Sequence, residues 1–212
     1  FAYKELAAGR GALRRRSDTI VKSDTTPGAL YALKSMDGIA PSLGVSAIRI
    51  NSDIITHPKV GDNIRRVKVP AAPGDRYTGL VLLFSTETGE PLAIFPDGEV
   101  QPMRVAGTTA LAAKYLAKKG ARSVALIGTG WQAQAQLRAI DAVHEISDFR
   151  VYSTRKENRD RFAMEWSEKI GAQIRPCETA QEAVAGADIV LCATNSVEHV
   201  AEESWLEPGM HI

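Results

Sequence analysis

The chain has 212 residues, 24% of them charged, and a formal net charge of +1 at pH 7. That length accommodates one large domain or two small ones with a sizeable core, and so even a charge balance gives no electrostatic ground for a nucleic-acid or membrane-surface partner. No apolar run approaches the roughly 18 residues of a spanning helix and no secretory pattern opens the chain, so a cytoplasmic protein is expected. Cys177 and Cys192 lack metal-type spacing and read as two buried, reduced thiols, with no metal site.

In chain order, Tyr3 to Ala8 reads as a helix, followed by a basic stretch from Gly9 to Arg16 in which at least two of Arg14, Arg15 and Arg16 are solvated. Ala29 to Met36 and Val45 to Asn51 read as strands separated by Gly38, Pro41 and Gly44, with Lys34 and Arg49 as the charges inside them. Pro58 to Asp75 reads as a loop. Tyr77 to Ser85 and Pro91 to Phe95 flank a turn containing Gly89, the pattern of a β-hairpin. From Met103 to Lys119 the residues become helical, with Arg104 in the first turn and a stop at Gly120. This helix is expected to carry the chain from one domain to the next.

Ser123 to Ile127 is a short β-type run that breaks into Gly128, Thr129, Gly130, Trp131, Gln132 and Ala133, the G-x-G-x-x-A form of the dinucleotide fingerprint. Ala133, Leu137 and Ile140 then recur at helical spacing, and a second strand is expected over Phe149 to Tyr152. Here Gly128 would allow the tight turn, Gly130 the approach of a pyrophosphate, and Ala133 close helix-to-strand packing, with the helix N-terminus facing the phosphates. The competing reading is an ordinary glycine turn. Past the second strand, Thr154 to Glu157 has capping-box spacing ahead of an apolar stripe of Phe162, Trp166 and Ile170, which makes Trp166 a core residue. Gln173 to Arg175 reads as a strand, Thr179 to Glu182 as another capping box, and Asp188 to Ala193 as a buried parallel strand. The alternation predicts an α/β fold with a doubly wound parallel sheet.

Where a unit that binds NAD usually ends its second strand in an acid that reads the ribose 2′-hydroxyl, this chain has Ser153, Thr154 and Arg155. No carboxylate repels a 2′-phosphate there, and a guanidinium with two hydroxyls can bind one, so NADP(H) is the preferred cofactor and NAD(H) a possible one. The alternative is a helix cap followed by a solvent arginine.

With these segments assembled, the chain resembles the ornithine cyclodeaminase/mu-crystallin family. The resemblance is carried by Leu83-Phe84 through Thr88-Gly89 to Pro91-Leu92-Ala93, by Met103-Arg104 to Ala117, and by Gly128 to Gln132. It implies a Rossmann-type doubly wound sheet over 107–212, with Thr194 joining the cofactor contacts, and an α+β substrate-binding and dimerisation domain over 1–106. It also implies a homodimer and a site between the domains, where Arg16, Arg49 and Arg104 hold the carboxylate of a small imino or amino acid, Arg104 also meeting the cofactor. Arg49 falls where most members carry lysine, and Val105-Ala106-Gly107 departs from the usual residues after the arginine. Lys34 is placed at the substrate, where cyclodeaminases use an acid on the ornithine amine, and so argues against a diamino acid. The family's catalytic aspartate falls beyond Ile212, and the natural chain is expected to extend past both ends. The implied activity is an NADP(H)-dependent oxidoreductase working at the α-carbon of an imino or 2-amino acid. The alternatives are a non-catalytic NADPH-regulated binding protein like mu-crystallin and a redox-neutral cyclodeaminase.

Overall fold

The computed structural model describes residues 1–60, 63–69 and 79–212. Residues 61–62 and 70–75 of the expected loop, and Tyr77 and Thr78 of the expected strand, lie outside them. The chain divides into two units, Phe1–Val100 and Gln101–Ile212.

The first unit opens on helix α1 (Ala2–Ala7) and continues with β1 (Ala12–Leu13), β2 (Ser17–Lys22), β3 (Leu30–Ala40), β4 (Val45–Thr56), β5 (Lys59–Val60), β6 (Asn63–Ile64), β7 (Val67–Val69), β8 (Gly79–Ser85) and β9 (Pro91–Pro96). An antiparallel sheet runs in the order β1-β3-β4-β8-β9, with β2 also on β3 and β7 also on β4, while β5 and β6 pair with each other. The expected hairpin is β8 and β9, closed by Gly89 at φ 77° and by Ser85 Oγ, which accepts the Glu87 and Thr88 amides.

Three expectations for this unit are corrected. Strand β2, exposed along its whole length, was not expected, because Ser-Asp-Thr-Ile-Val-Lys has no buried face to read. β3 runs four residues beyond Met36, through Gly38. Gly38 pairs with Leu13 of β1 within the ladder, so it continues the strand rather than breaking it. The stretch read as loop after Pro58 contains β5, β6 and β7 among its described residues.

Strand register sorts the sheet into two unlike faces. Lys34, Met36, Arg49, Asn51 and Asp53 share one, since Lys34 pairs with Asn51, Met36 with Arg49 and Ala32 with Asp53. Leu33, Ile39, Ile48, Ile50, Leu80, Leu82 and Ile94 share the other.

Helix α2 (Asp97–Leu116) contains the boundary between the units. It starts six residues ahead of the expected Met103 and ends before Lys118. Asp97 and Glu99 complement the dipole of its first turn, whereas Pro102, inside the helix, reads in sequence as a breaker. Arg104 consequently lies six residues further into the helix than expected, nearly two turns.

The second unit continues with β10 (Ser123–Ile127), α3 (Trp131–Asp141), β11 (Asp148–Tyr152), α4 (Lys156–Ile170), β12 (Ile174–Pro176), α5 (Ala180–Val184) and β13 (Ile189–Cys192). Its parallel strands lie in the order β12-β11-β10-β13, and His211 bridges Ile189 in parallel beyond them. Alternation along the strands separates two cores. Val124, Leu126, Val151, Ile189 and Leu191 pack with Ala133, Leu137 and Ile140 of α3 and Phe162 and Trp166 of α4. Ala125, Ile127 and Val190 pack with Ala183 and Val184 of α5. Strands buried on both faces need continuous apolar runs, and β10 is one. The fold is α/β, a Rossmann-type parallel sheet joined to an antiparallel sheet unit.

Two further expectations are corrected here. The N-cap of α4 is Arg155, which makes no side-chain cap bond, so the helix begins one residue later than a box opening at Thr154 would place it. Thr179 does accept the Glu182 amide, and Glu182 reaches back to the amide of Glu178. Cys177 is buried but Cys192 is exposed, because β13 ends there and its side chain leaves the packed part of the sheet.

Candidate functional site

The strand ends of the second unit are in register. Ile127 pairs with Tyr152 on one side and with Cys192 on the other, so three segments leave the sheet at one edge: Gly128 to Gln132, Ser153 to Arg155, and Ala193 with Thr194. The Gly128 amide donates to the Tyr152 carbonyl at 2.8 Å and the Ala193 amide to the Ile127 carbonyl at 2.8 Å, which ties the three together. The chain order reverses at β10 and β13, and a sheet of this kind binds its ligand in the crevice at that reversal.

Only glycine fits at position 128. Its φ is 113°, and a Cβ would stand 2.1 Å from the Ala193 oxygen. A Cβ on Gly130, by contrast, would meet nothing within 4 Å, so backbone and open space adjoin where a pyrophosphate would lie. Beside it, the Gln132 carboxamide oxygen is buried without a partner among the described residues, and Trp131 is 40% exposed. The free N–H groups of a glycine turn at a helix N-terminus fit the phosphates of a dinucleotide, and the Gln132 oxygen, an acceptor, is left for a hydroxyl or amide donor.

Ser153 is half-buried and Thr154 and Arg155 are exposed; the Arg155 guanidinium has no partner among the described residues. Thr194 is exposed, and its hydroxyl accepts the Ser196 amide. Arg159, one turn into α4, is 5% exposed. Its Nη1 donates to the Ser153 carbonyl at 3.2 Å, its Nη2 pairs with Glu178, and its Nε is buried without a partner. Sequence reading missed it, although a charge three residues before Phe162 on the buried stripe was a visible signal.

In the first unit, the structure brings Lys34 and Arg49 onto one sheet face, each held by an acid. Lys34 Nζ lies 2.5 Å from Asp53, which also pairs with Lys68 at 3.0 Å. Burial pushes the Asp53 carboxyl up, and the two ammonium groups outweigh it, leaving it below the ordinary range. Arg49 grips Asp97 through Nε at 2.7 Å and Nη2 at 2.6 Å, and Asn51 donates to the same carboxylate at 3.1 Å. Arg16 is exposed and pairs with Asp18 at 2.7 Å. Arg104 is exposed on α2. Asp53 and Asp97 were not foreseen, since their partners are 19 and 48 residues away. No group of metal-ligating side chains occurs among the described residues, nor does a helix long and apolar enough to cross a membrane.

A parallel sheet in this order, with a glycine turn where the order reverses, defines a Rossmann-type α/β protein. The chain belongs to the ornithine cyclodeaminase/mu-crystallin family, whose model matches residues 67–212. It is 30% identical over 205 residues to the ornithine cyclodeaminase of Agrobacterium fabrum, covering 96% of this chain and 50% of that protein. To the Delta(1)-pyrroline-2-carboxylate reductase of Bacillus cereus it is 34% identical over 134 residues, 63% of this chain and 41% of that one. The structure of Thermococcus litoralis Delta(1)-pyrroline-2-carboxylate reductase, in complex with NADH and L-proline, superimposes with a TM-score of 0.78 at 26% identity, covering 99% of this chain and 60% of that one. The chain spans about half the length of the curated relatives it matches.

Proposed function

We propose that the protein carrying this chain is an NADP(H)-dependent oxidoreductase that moves a hydride to or from the α-carbon of an imino or 2-amino acid. The observation that carries the reading is the strand edge at Gly128, Ser153 and Thr194, with open space at Gly130 and the exposed Arg155 where an acid would select NAD. Gly128 to Gln132 take the pyrophosphate, Ser153 to Arg155 the 2′-phosphate, and Thr194 lies along the same cofactor. When bound, the nicotinamide supplies or accepts the hydride; the chain's own residues orient it and the substrate. The reductase relatives, one of them holding NADH and L-proline, support the substrate class.

Residues 1–106 serve substrate binding and dimerisation, and 107–212 the nucleotide. Arg16, Arg49 and Arg104 supply cationic contacts for the substrate carboxylate, and Lys34 stands toward the substrate's side chain, where it disfavours a second amine. Arg49 uses two of its five N–H groups on Asp97, which leaves the guanidinium oriented with donors to offer. The apolar sheet face, where Leu33, Ile39, Leu80 and Ile94 are all exposed, supports a homodimer built on this unit. Free thiols at Cys177 and Cys192 suit a reducing cytoplasm.

The test is a panel of 2-oxo acids with amines, and of cyclic imines, assayed with NADPH and NADH in parallel. Net oxidation of NADPH with one of these classes is the expected result. The similarity to an ornithine cyclodeaminase along 96% of the chain favours a second reading, a redox-neutral lyase. Conversion of ornithine to proline and ammonia without net NADPH consumption would establish it instead.

A further inference from the structure

A buried guanidinium in an apolar stripe is costly, and Arg159 is buried with one N–H unpaired. On α4 it takes the place of an apolar residue ahead of Phe162, Ala163 and Trp166, and its strongest partner, Glu178, lies mostly in solvent. An arginine there contributes little to packing that a methionine would not. Its other contact is the carbonyl of Ser153, the first residue after β11 and the first of the three that read the adenosine ribose in the function proposed above.

That contact has a geometric consequence. The peptide group is planar and trans, so a Ser153 carbonyl held by Arg159 directs the N–H of Thr154 to the opposite side, away from the α4 core. The same plane sets where the exposed side chains of Thr154 and Arg155 begin. We infer that Arg159 is a positioning residue for cofactor choice, orienting Ser153, Thr154 and Arg155 for a ribose 2′-phosphate without touching it. The inference rests on the NADP(H) reading of that segment.

The experiment measures the dissociation constants of NADPH and NADH by fluorescence titration on the intact protein, on Arg159→Met and on Arg159→Lys, with melting temperatures alongside. The natural protein is measured first; equal affinity for the two nucleotides overturns the NADP(H) reading and this inference with it. Given a preference for NADPH, Arg159→Met should reduce it about tenfold through weaker NADPH binding, with NADH binding unchanged within about twofold, and Arg159→Lys should restore most of it. A preference that survives Arg159→Met, or equal losses for both nucleotides, overturns the positioning role and leaves the NADP(H) reading standing. Should Arg159→Met fail to fold, the surface variant Glu178→Gln decides. It removes the charge that holds Nη2, and a reduced NADPH preference at unchanged melting temperature supports the role, whereas an unaltered preference overturns it.

Discussion

The two sheets bury opposite kinds of side chain. In the parallel sheet, Val124, Leu126, Phe149, Val151, Ile189 and Val190 are each at most 1% exposed, while among the described residues of the antiparallel unit the buried apolar side chains are Ala29, Ala32 and Ile55. The buried polar residues of the antiparallel unit are Glu5, Lys34, Asn51, Asp53 and Asp97. The difference follows from connectivity. Parallel strands need crossovers, and the crossover helices α3, α4 and α5 cover the strands they join. Hairpin-linked antiparallel strands bring no cover of their own, so one face of that sheet holds ionic groups and the other leaves Leu33, Ile39, Leu80 and Ile94 exposed. In the apolar unit the charges at the strand ends are available to a ligand. In the antiparallel unit the buried charges are engaged within the unit, Lys34 with Asp53, Asp97 with Arg49 and Glu5 with Arg10.

The largest expected effects test that contrast directly. Asp53→Ala leaves the Lys34 ammonium buried without its carboxylate and should destabilise by about 3–5 kcal/mol in urea denaturation, whereas Lys34→Met with Asp53→Leu should cost far less. A loss under about 1 kcal/mol for the single change would mean that the buried pair is not structural. In the parallel sheet Phe149→Ala should cost a similar amount, about 3–5 kcal/mol, but through a cavity, so no second substitution of a charge would relieve it.

Arg155→Ala separates ligand charges from fold charges. NADPH binding should weaken by about 1.5–3 kcal/mol, the range for a hydrogen bond to a charged group, with NADH binding little changed. Stability should move by no more than about 0.5 kcal/mol, as for an exposed site. Equal losses for the two nucleotides would show that Arg155 does not read the 2′-phosphate. Smaller again is Thr179→Ala, which removes the acceptor for the Glu182 amide and should cost about 1 kcal/mol in thermal melts.

A further effect is a matter of pH. The Arg10 guanidinium and the Ser42 hydroxyl hold the Glu5 carboxyl down from 4.5 to about 2. As pH falls, the unfolded chain takes up this proton near 4.5 and the native protein only near 2. The stability Glu5 contributes is therefore complete above 4.5 and is lost between those values. Carboxylate titration by NMR should find the Glu5 midpoint well below 4.5, and Arg10→Ala should move it back up. A midpoint already at 4.5 would remove this ion pair from the account.

Residues near in sequence determined most of the nucleotide unit. Strand Ser123–Ile127 begins and ends where its apolar run does, and Ala133, Leu137 and Ile140 bury the face that helical spacing assigns them. The glycine turn and the segment Ser153 to Arg155 are equally local, since each follows a strand by one residue. Tertiary structure alone decided the partners of the charges. Lys34 finds Asp53 and Arg49 finds Asp97 only because register sets β3 against β4 and the chain returns through β8 and β9 to the start of α2. Pairing across strands depends on which residues fold opposite one another, and periodicity within a strand carries no record of that. For the same reason β2, with no buried face, and the partners of Arg159, a carbonyl 6 residues before it and a carboxylate 19 after, become legible only in the folded chain.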